Sequence, residues 1–226
     1  MQESKIVYCG MTLRYYTHGK NPKWLIHSGT HGNEWGVIAP VTEYLRAHAQ
    51  DMPNFIFVPE MSPSAVRLRR RRNASGNDVN RMFADESPDT EVRANLMLMY
   101  TGTFDLLLTF HEDHERSNKW YLYDTDDASE SKEIQNLFAD AAKIGVNPHS
   151  GSDWKGVGSV VIRNGYFSEQ WRGGGFTRKR LAGQATVYAV RKGIAKRGIT
   201  LEIPQRAPRE VKEKLVAIIF QHFANA

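Results

Sequence analysis

The sequence predicts an α/β fold: a single domain with a mostly parallel or mixed central sheet and helices on both faces. The first supporting observation is that short apolar runs bounded by turn residues alternate with segments of helical periodicity. The second is the composition, since 226 residues with 41% hydrophobic and 24% charged side chains suffice for a sizeable core. The third is that no internal repeat or low-complexity linker interrupts the chain, so we expect residues 1–226 to form one domain.

The first 58 residues are predicted to contain four strands and one long helix. Two short strands around Gly10 are expected to pair as a hairpin. Apolar periodicity over residues 33–49 predicts a helix, and Pro40 inside this pattern means that the helix is kinked or begins later. The strands are expected at residues 5–16 (the hairpin), 24–27 and 55–58, and the last two are short apolar runs typical of buried strands.

The rest of the chain alternates in the same way, apart from a Gly-rich segment over residues 147–176 that is predicted to be rich in loops. An apolar strand is predicted over residues 104–110, and His111 follows at its C-terminal end. Further strands are expected at residues 120–123 and 199–203, and helices at residues 90–100, 129–142, 179–196 and 209–223.

The charge and the cysteine content narrow the class of protein. The formal net charge is +5, and much of the excess comes from Arg67 and the run from Arg69 to Arg72, so the basic character is local. The single cysteine, Cys9, excludes an internal disulfide and is compatible with a reducing compartment. The first residues lack a charged segment followed by a long apolar one, so we expect neither a signal peptide nor a transmembrane helix, and by default a cytoplasmic location.

The chain is organised around His31 and Glu34, which follow the apolar strand at residues 24–27. If the strand turns into a helix here, both side chains can converge on one point above the strand end. Open α/β sheets gather ligands outside the carboxyl ends of their strands, so His111 is expected at the same edge. Two histidines and one glutamate are the inventory of a catalytic zinc site. Taken alone, a His and a Glu at this spacing are more often an exposed histidine and a helix-starting glutamate.

Glu202 lies in the apolar strand predicted at residues 199–203 and is the candidate base. A carboxylate in such a strand is costly to bury unless it has a task or a partner. The task we consider is the activation of a water molecule, followed by transfer of the proton to a leaving nitrogen. The alternative is that Glu202 lies in an edge strand and faces water.

A long connection rich in Arg, Asn and Gly follows the strand at residues 55–58, and connections of this length are more often functional than idle. Within it, Arg81 offers a planar fork that binds a carboxylate through two hydrogen bonds, and Asn80 adds amide donors, so the pair could clamp a substrate carboxylate. Arg72 could stabilise an oxyanion. On composition alone, the neighbouring arginines are more simply explained as a solvated or anion-binding surface.

Taken in order, these residues resemble the motif set of the zinc carboxypeptidase superfamily. That superfamily includes the metallocarboxypeptidases and the succinylglutamate desuccinylase/aspartoacylase branch. The similarity runs from about residue 24 to residue 204. It rests on four motifs: His31-x-x-Glu34, Arg72-Asn73 with the segment from Asp78 to Phe83, His111 at a strand end, and Glu202 within Thr200-Leu201-Glu202-Ile203-Pro204.

The resemblance implies a role for each of these residues. It implies one zinc ion per chain, bound by His31, Glu34 and His111. It also implies that Glu202 acts first as general base and then as general acid. The remaining roles are those of substrate binding, in which Asn80 and Arg81 hold the carboxylate and Arg72 polarises the scissile carbonyl.

The sequence departs from the family pattern in three respects. No tyrosine is an unmistakable match to the substrate-capping tyrosine of carboxypeptidases; Tyr166 in the Gly-rich segment is the candidate, whereas Tyr188 has the pattern of a helix residue. His114 competes with His111 as a ligand but lies further past the strand end. The deacylase branch commonly carries an extra β-rich region after the base-bearing strand, and only one helix follows Glu202 here, which favours a peptidase.

The sequence therefore predicts a zinc hydrolase that cleaves an amide bond next to a free carboxylate, either a metallocarboxypeptidase or a peptide amidase. The alternative within the same chemistry is an N-acyl amino acid deacylase. A hypothesis from a different class is an inactive zinc-site domain that binds an anionic polymer through the arginines between residues 67 and 72. The expected partner is a small peptide or N-acyl amino acid with a free carboxylate, and we expect neither nucleic acid nor membrane as a partner.

Overall fold

The computed structural model describes residues 1–153, 159–168 and 183–224, and these ranges form one mixed sheet flanked by helices. The nine strands of this sheet are β1 (Gln2–Tyr8), β2 (Met11–His18), β3 (Trp24–His27), β4 (Phe55–Val58), β5 (Phe104–Asp113), β6 (Lys119–Asp124), β7 (Asn147–Pro148), β10 (Tyr166–Ser168) and β11 (Ala195–Pro204). A separate pair consists of β8 (Gly151–Ser152) and β9 (Val161–Ile162). The helices are α1 (Ile38–His48), α2 (Pro63–Leu68), α3 (Thr90–Met99), α4 (Lys132–Lys143), α5 (Ala185–Arg191) and α6 (Arg209–Ala224).

The order of the strands places the candidate site at one edge of the sheet. The order is β1-β2-β4-β3-β5-β11-β6-β10, and β7 pairs with β6. The four central strands, β4, β3, β5 and β11, run parallel to one another, whereas β2 and β6 flank them in the antiparallel direction. The carboxyl ends of the four parallel strands therefore lie at the same edge, as predicted for an open α/β sheet.

Alternate residues of the central strands face opposite sides of the sheet, and each side has its own core. Trp24 and Ile26 of β3 pack in a core with residues of α1, α4 and α6, whereas Leu25 packs in a second core with residues of α3 and α5. Because both faces of these strands are buried, they are almost continuously apolar, which explains why periodicity alone could identify them. The predicted mixed sheet with helices on both faces is confirmed.

The predicted helix over residues 33–49 begins later than its apolar pattern. A short 3₁₀ segment, Gly32–Val37, comes first, and α1 starts at Ile38. Pro40 lies in the first turn of α1, where an amide would have no partner within the helix, so the proline ring does not break the helix.

Two predicted boundaries are wrong. The strand expected at residues 104–110 continues as β5 through residue 113, so His111 lies within the strand. The helix expected at residues 179–196 ends with α5, because Gly193 adopts a left-handed conformation at φ +67° and the Ile194 amide donates back to the Ala189 carbonyl. The part of that predicted helix before residue 183 lies outside the described residues, as do residues 154–158 and 169–176 of the Gly-rich segment.

The described ranges contain no helix with the length and apolar character that crossing a lipid bilayer requires.

Candidate active site

The loop after β3 is held rigidly against α2, and this places His31. The Ser28 amide donates to the Val58 carbonyl at 3.0 Å, and the Gly32 amide donates to the Arg70 carbonyl at 2.9 Å. A Cβ atom on Gly32 would lie 1.7 Å from the Ala65 carbonyl oxygen, so only glycine permits this approach. These contacts hold the loop in place, and His31 and Glu34 lie at the edge formed by the carboxyl ends of the parallel strands.

Three buried side chains converge at this edge. The Nδ1 atom of His31 lies 2.7 Å from Oε1 of Glu34, and the Nδ1 atom of His111 lies 2.7 Å from Oε2 of the same carboxylate. One ligand atom from each residue lies within 4.8 Å of the others, and all three residues are at most 5% exposed. His31, Glu34 and His111 were predicted as a metal-binding set, and the fold brings them together.

The chemistry of these donors fits a zinc ion. Burial opposes the charged form of Glu34, but the two imidazoles outweigh this effect and hold the pKa of Glu34 well below its usual range, so the carboxylate is ionised. The other ring nitrogen of His31, Nε2, lies 3.0 Å from Asp78 Oδ1, so Asp78 fixes the ring with Nδ1 directed at the cluster. Two imidazole nitrogens and one carboxylate are the protein ligands of many catalytic zinc sites.

Glu202 faces the same cavity from the neighbouring strand. Residues Glu202 of β11 and His111 of β5 are paired in register, so their side chains lie in the same row on one face of the sheet. Burial, and then the negative charges of Glu34 and Asp113, raise the pKa of Glu202 well above its usual range. Within the described part of the chain, the Glu202 carboxyl group has no hydrogen-bond partner. A partly buried carboxyl group with a raised pKa beside a cluster of metal-ligand type is characteristic of a general base.

The residues predicted to clamp a carboxylate line a cavity of about 140 Å³ together with the metal cluster and Glu202. The Asn80 Oδ1 atom accepts a hydrogen bond from the Ala185 amide at 3.1 Å, and Asn80 Nδ2 lies 3.5 Å from Nε2 of His111. Arg81 donates from Nη1 to the Asn80 carbonyl at 2.7 Å. Asn80 is thus fixed beside the metal cluster, and Arg81 follows it at the cavity wall.

The structure brings Arg71 to this cavity, and Arg72 lies elsewhere. The Arg71 guanidinium binds Asp78 Oδ2 at 2.9 Å, and its Nη1 atom lies 3.7 Å from Oε1 of Glu34. Arg72 is exposed, does not line the cavity, and donates to the carbonyl of Gly76 at 2.9 Å. The structure therefore places Arg71, and not the predicted Arg72, beside the metal cluster.

Tyr166 also lies away from the cavity. Its hydroxyl donates to Asp124 Oδ2 at 2.9 Å and accepts a hydrogen bond from the Ala128 amide at 2.8 Å, so it ties β10 to the end of β6. The placement does not support a substrate-binding role for Tyr166. Two other tyrosines, Tyr121 and Tyr123, line the cavity. They are two residues apart in β6 and so lie on the same face of the strand. Because this spacing is common in any half-buried strand, nothing in the sequence marked them as site residues.

Comparison with known proteins reveals similarity in structure alone. No protein-family model matches the chain, and no curated protein matches it. A candidate metallopeptidase from Shewanella denitrificans is 18% identical with a TM-score of 0.74, and the match covers 98% of this chain and 82% of the other. A metallo-carboxypeptidase from Burkholderia cenocepacia is 17% identical with a TM-score of 0.62, covering 99% of this chain and 65% of the other.

A third similar structure comes from the deacylase branch. It is a succinylglutamate desuccinylase/aspartoacylase from Rhodobacter sphaeroides, 14% identical with a TM-score of 0.60, and the match covers 99% of this chain and 63% of the other. Identities this low establish the fold alone. The chain therefore has the α/β fold shared by metallo-carboxypeptidases and desuccinylase/aspartoacylase proteins, which confirms the fold that the motif resemblance implied.

Proposed function

We propose that this protein is a zinc-dependent hydrolase, with residues 1–226 as one catalytic domain, that cleaves an amide bond next to a free carboxylate. The observation that carries the proposal is the convergence of His31, Glu34 and His111 with Glu202 paired in register beside them. The cluster offers the ligands that zinc uses in hydrolases, and Glu202 supplies a carboxyl group from the adjacent strand.

In the proposed reaction, the residues at the cavity have separate roles. Bound zinc would supply Lewis acidity to the scissile carbonyl and to a water molecule. Glu202 accepts the proton of that water and delivers it to the leaving nitrogen. Arg71 faces the developing negative charge on the carbonyl oxygen, where a fixed cation stabilises the transition state more than the ground state. Asn80 and Arg81 hold the free carboxylate and thereby fix which bond reaches Glu202.

Two substrates are compatible with this arrangement, and we favour the peptide. Both branches occur among the similar structures, but the candidate metallopeptidase matches with the higher TM-score, 0.74 against 0.60 for the desuccinylase/aspartoacylase. A carboxypeptidase or peptide amidase is therefore the first proposal, and an N-acyl amino acid deacylase is the second.

The contacts of the arginine-rich segment support the hydrolase better than the alternative hypothesis of an inactive domain that binds anionic polymers. Arg70 donates from Nη2 to the Asn73 carbonyl at 2.9 Å, and Arg71 is bound to Asp78. Two members of the run are therefore used inside the chain. A surface that bound polyanions through many phosphate or carboxylate contacts would depend on several free arginines.

The test is a competition of short peptides and N-acyl amino acids against one zinc-loaded preparation, scored by kcat/KM. Each substrate is paired with its C-terminally amidated form. We expect hydrolysis of the free carboxylates and weak activity on the amidated forms, because Arg81 then faces no opposite charge.

Two variants complete the experiment. Glu202→Gln should lower kcat on the order of a hundredfold or more while zinc stays bound, because it cannot accept the proton. Arg81→Ala should remove the preference for a free carboxylate. If Glu202→Gln remains active, the mechanism is wrong, and if Arg81→Ala keeps the preference, the carboxylate is bound elsewhere.

A further inference from the structure

Gln184 is a buried residue of the cavity wall that the roles above leave unused. It precedes α5 and occupies the N-cap position, yet its side chain makes no capping hydrogen bond. The residue is 6% exposed and lines the same cavity as Asn80, Arg81 and Glu202. Its Oε1 atom is buried without a hydrogen-bond partner in the described ranges.

The backbone on both sides of Gln184 is fixed to the proposed carboxylate clamp. The carbonyl of Gly183 accepts a hydrogen bond from the Phe83 amide at 3.1 Å, and the Ala185 amide donates to Asn80 Oδ1 at 3.1 Å. A Cβ atom on Gly183 would lie 2.2 Å from the Arg81 carbonyl oxygen, so the two segments touch through their backbones. The position of the Gln184 side chain relative to the clamp is therefore set by the fold.

An amide group buried without a partner destabilises a folded protein, and most such groups in native structures are completed by another group. Several other described residues carry an unpartnered buried atom, for example Trp120 in the core. Gln184 is the one among them that lines the cavity. Thr200 also lines the cavity, and its hydroxyl shares a hydrogen bond with the Thr186 hydroxyl at 3.1 Å. Gln184 thus contributes a buried amide oxygen without a partner to the wall of the proposed substrate cavity.

We propose that Gln184 is a specificity-determining residue that binds the side chain of the substrate residue whose carboxylate is held by Asn80 and Arg81. A carboxamide both donates and accepts hydrogen bonds, and its best complement is a group that does both. The leaving residue is therefore one with a short hydroxyl or carboxamide side chain, such as serine or asparagine. The identification of this residue as the leaving group rests on the proposed function, whereas the binding preference does not.

The experiment measures binding of free amino acids, which are the products on the leaving side and need no turnover. Calorimetric titration of the zinc-loaded protein compares L-serine with L-2-aminobutyrate, and L-asparagine with L-leucine, so that each pair differs in hydrogen-bonding capacity at similar size. We expect the polar member of each pair to bind about tenfold more tightly, as one buried hydrogen bond of ordinary strength allows. Gln184→Met keeps the length of the side chain and should abolish the preference.

The matched control is Gln135→Met, which replaces an exposed glutamine on α4 and should leave the preference intact. A second variant, Gln184→Glu, should transfer the preference to the cationic L-2,4-diaminobutyrate, and it keeps the test decisive if Gln184→Met fails to fold. Equal binding within each pair, absence of binding, or a preference that survives in Gln184→Met or is unchanged in Gln184→Glu would overturn the inference. If the preference is present but no amide substrate is cleaved, the proposed function fails and the inference stands.

Discussion

Replacing Arg71 by alanine distinguishes the role inferred from the structure from the role that the motif resemblance implied. The structure places Arg71 at the metal cluster, whereas the resemblance assigned the polarising role to Arg72. The Nη1 atom of Arg71 lies 3.5 Å from Nδ1 of His31, so the guanidinium lies at the edge of the metal cluster. Removal of one preorganised donor to a developing oxyanion typically lowers kcat by about a hundredfold to a thousandfold, or about 3–4 kcal/mol. We expect a loss of this size for Arg71→Ala.

The fold and the metal cluster should survive this substitution. The Arg71 side chain is 46% exposed, so its ion pair with Asp78 contributes little to stability. Asp78 also retains its contact with His31 at 3.0 Å. The matched control is Arg72→Ala, one position along the chain, which should keep kcat within about twofold because the residue is exposed and outside the cavity.

The assay is steady-state hydrolysis of the best substrate from the competition, together with the zinc content of each variant. A kcat loss in Arg71→Ala at unchanged zinc content supports the assignment. The assignment of Arg71 is wrong if Arg72→Ala loses as much activity as Arg71→Ala, or if Arg71→Ala stays within about threefold of the unmodified protein.

Two further substitutions test other parts of the structure. Tyr166→Phe removes the hydroxyl that donates to the buried carboxylate of Asp124, so the free energy of unfolding in urea should fall by about 1–3 kcal/mol. The kcat/KM value should stay within about twofold. A tenfold loss of kcat would show that Tyr166 reaches the substrate. Burial, and then the charge of His111, lower the pKa of His27 to about 3, whereas an unfolded histidine titrates near 6.5. Below pH 6.5 the unfolded chain therefore binds a proton that the folded chain does not, and stability falls as the pH falls. Between pH 7.5 and 4.5 the unmodified protein should lose about 2–3 kcal/mol more than His27→Leu, and an equal loss in the two proteins would contradict a neutral, buried His27.

The predicted site residues that the structure brings together are those fixed by short spacing or by a strand end. His31 and Glu34 are three residues apart, so one turn of chain brings them together whatever the rest of the fold does. His111 and Glu202 each lie in a strongly apolar strand, and parallel neighbours place such residues at one edge. The sheet itself was predictable for the same reason, since strands buried on both faces are apolar throughout.

The choice between Arg71 and Arg72 depends on contacts that no local pattern encodes. The chain reverses after α2 because Arg69 adopts a left-handed conformation at φ +49°, and the Arg70 carbonyl then accepts the Gly32 amide. These two features decide which arginine faces inward. In a run of four consecutive arginines, periodicity and composition are the same for each member, so the sequence could not resolve the register.

Gln184 and the end of α5 were missed for a different reason. The apolar pattern continues past residue 191 into β11, and the break is made by Gly193 at φ +67°. Gln184 itself follows a Gly-rich stretch, and nothing local marks it. Its place at the cavity arises from the Asn80 and Phe83 contacts of its two neighbours, which are about a hundred residues distant in sequence.

The proposed metal centre is tested by measuring the zinc content of three proteins after exhaustive dialysis against metal-free buffer: the unmodified chain, His111→Ala and His114→Ala. His114 is an exposed histidine close to His111 in sequence, and it lies outside the cluster of His31, Glu34 and His111. We expect about one zinc per chain in the unmodified protein and in His114→Ala, and loss of zinc in His111→Ala, because two remaining ligands leave an incomplete shell. Stoichiometric zinc of unchanged affinity in His111→Ala, or loss of zinc in His114→Ala, would contradict the proposed metal centre.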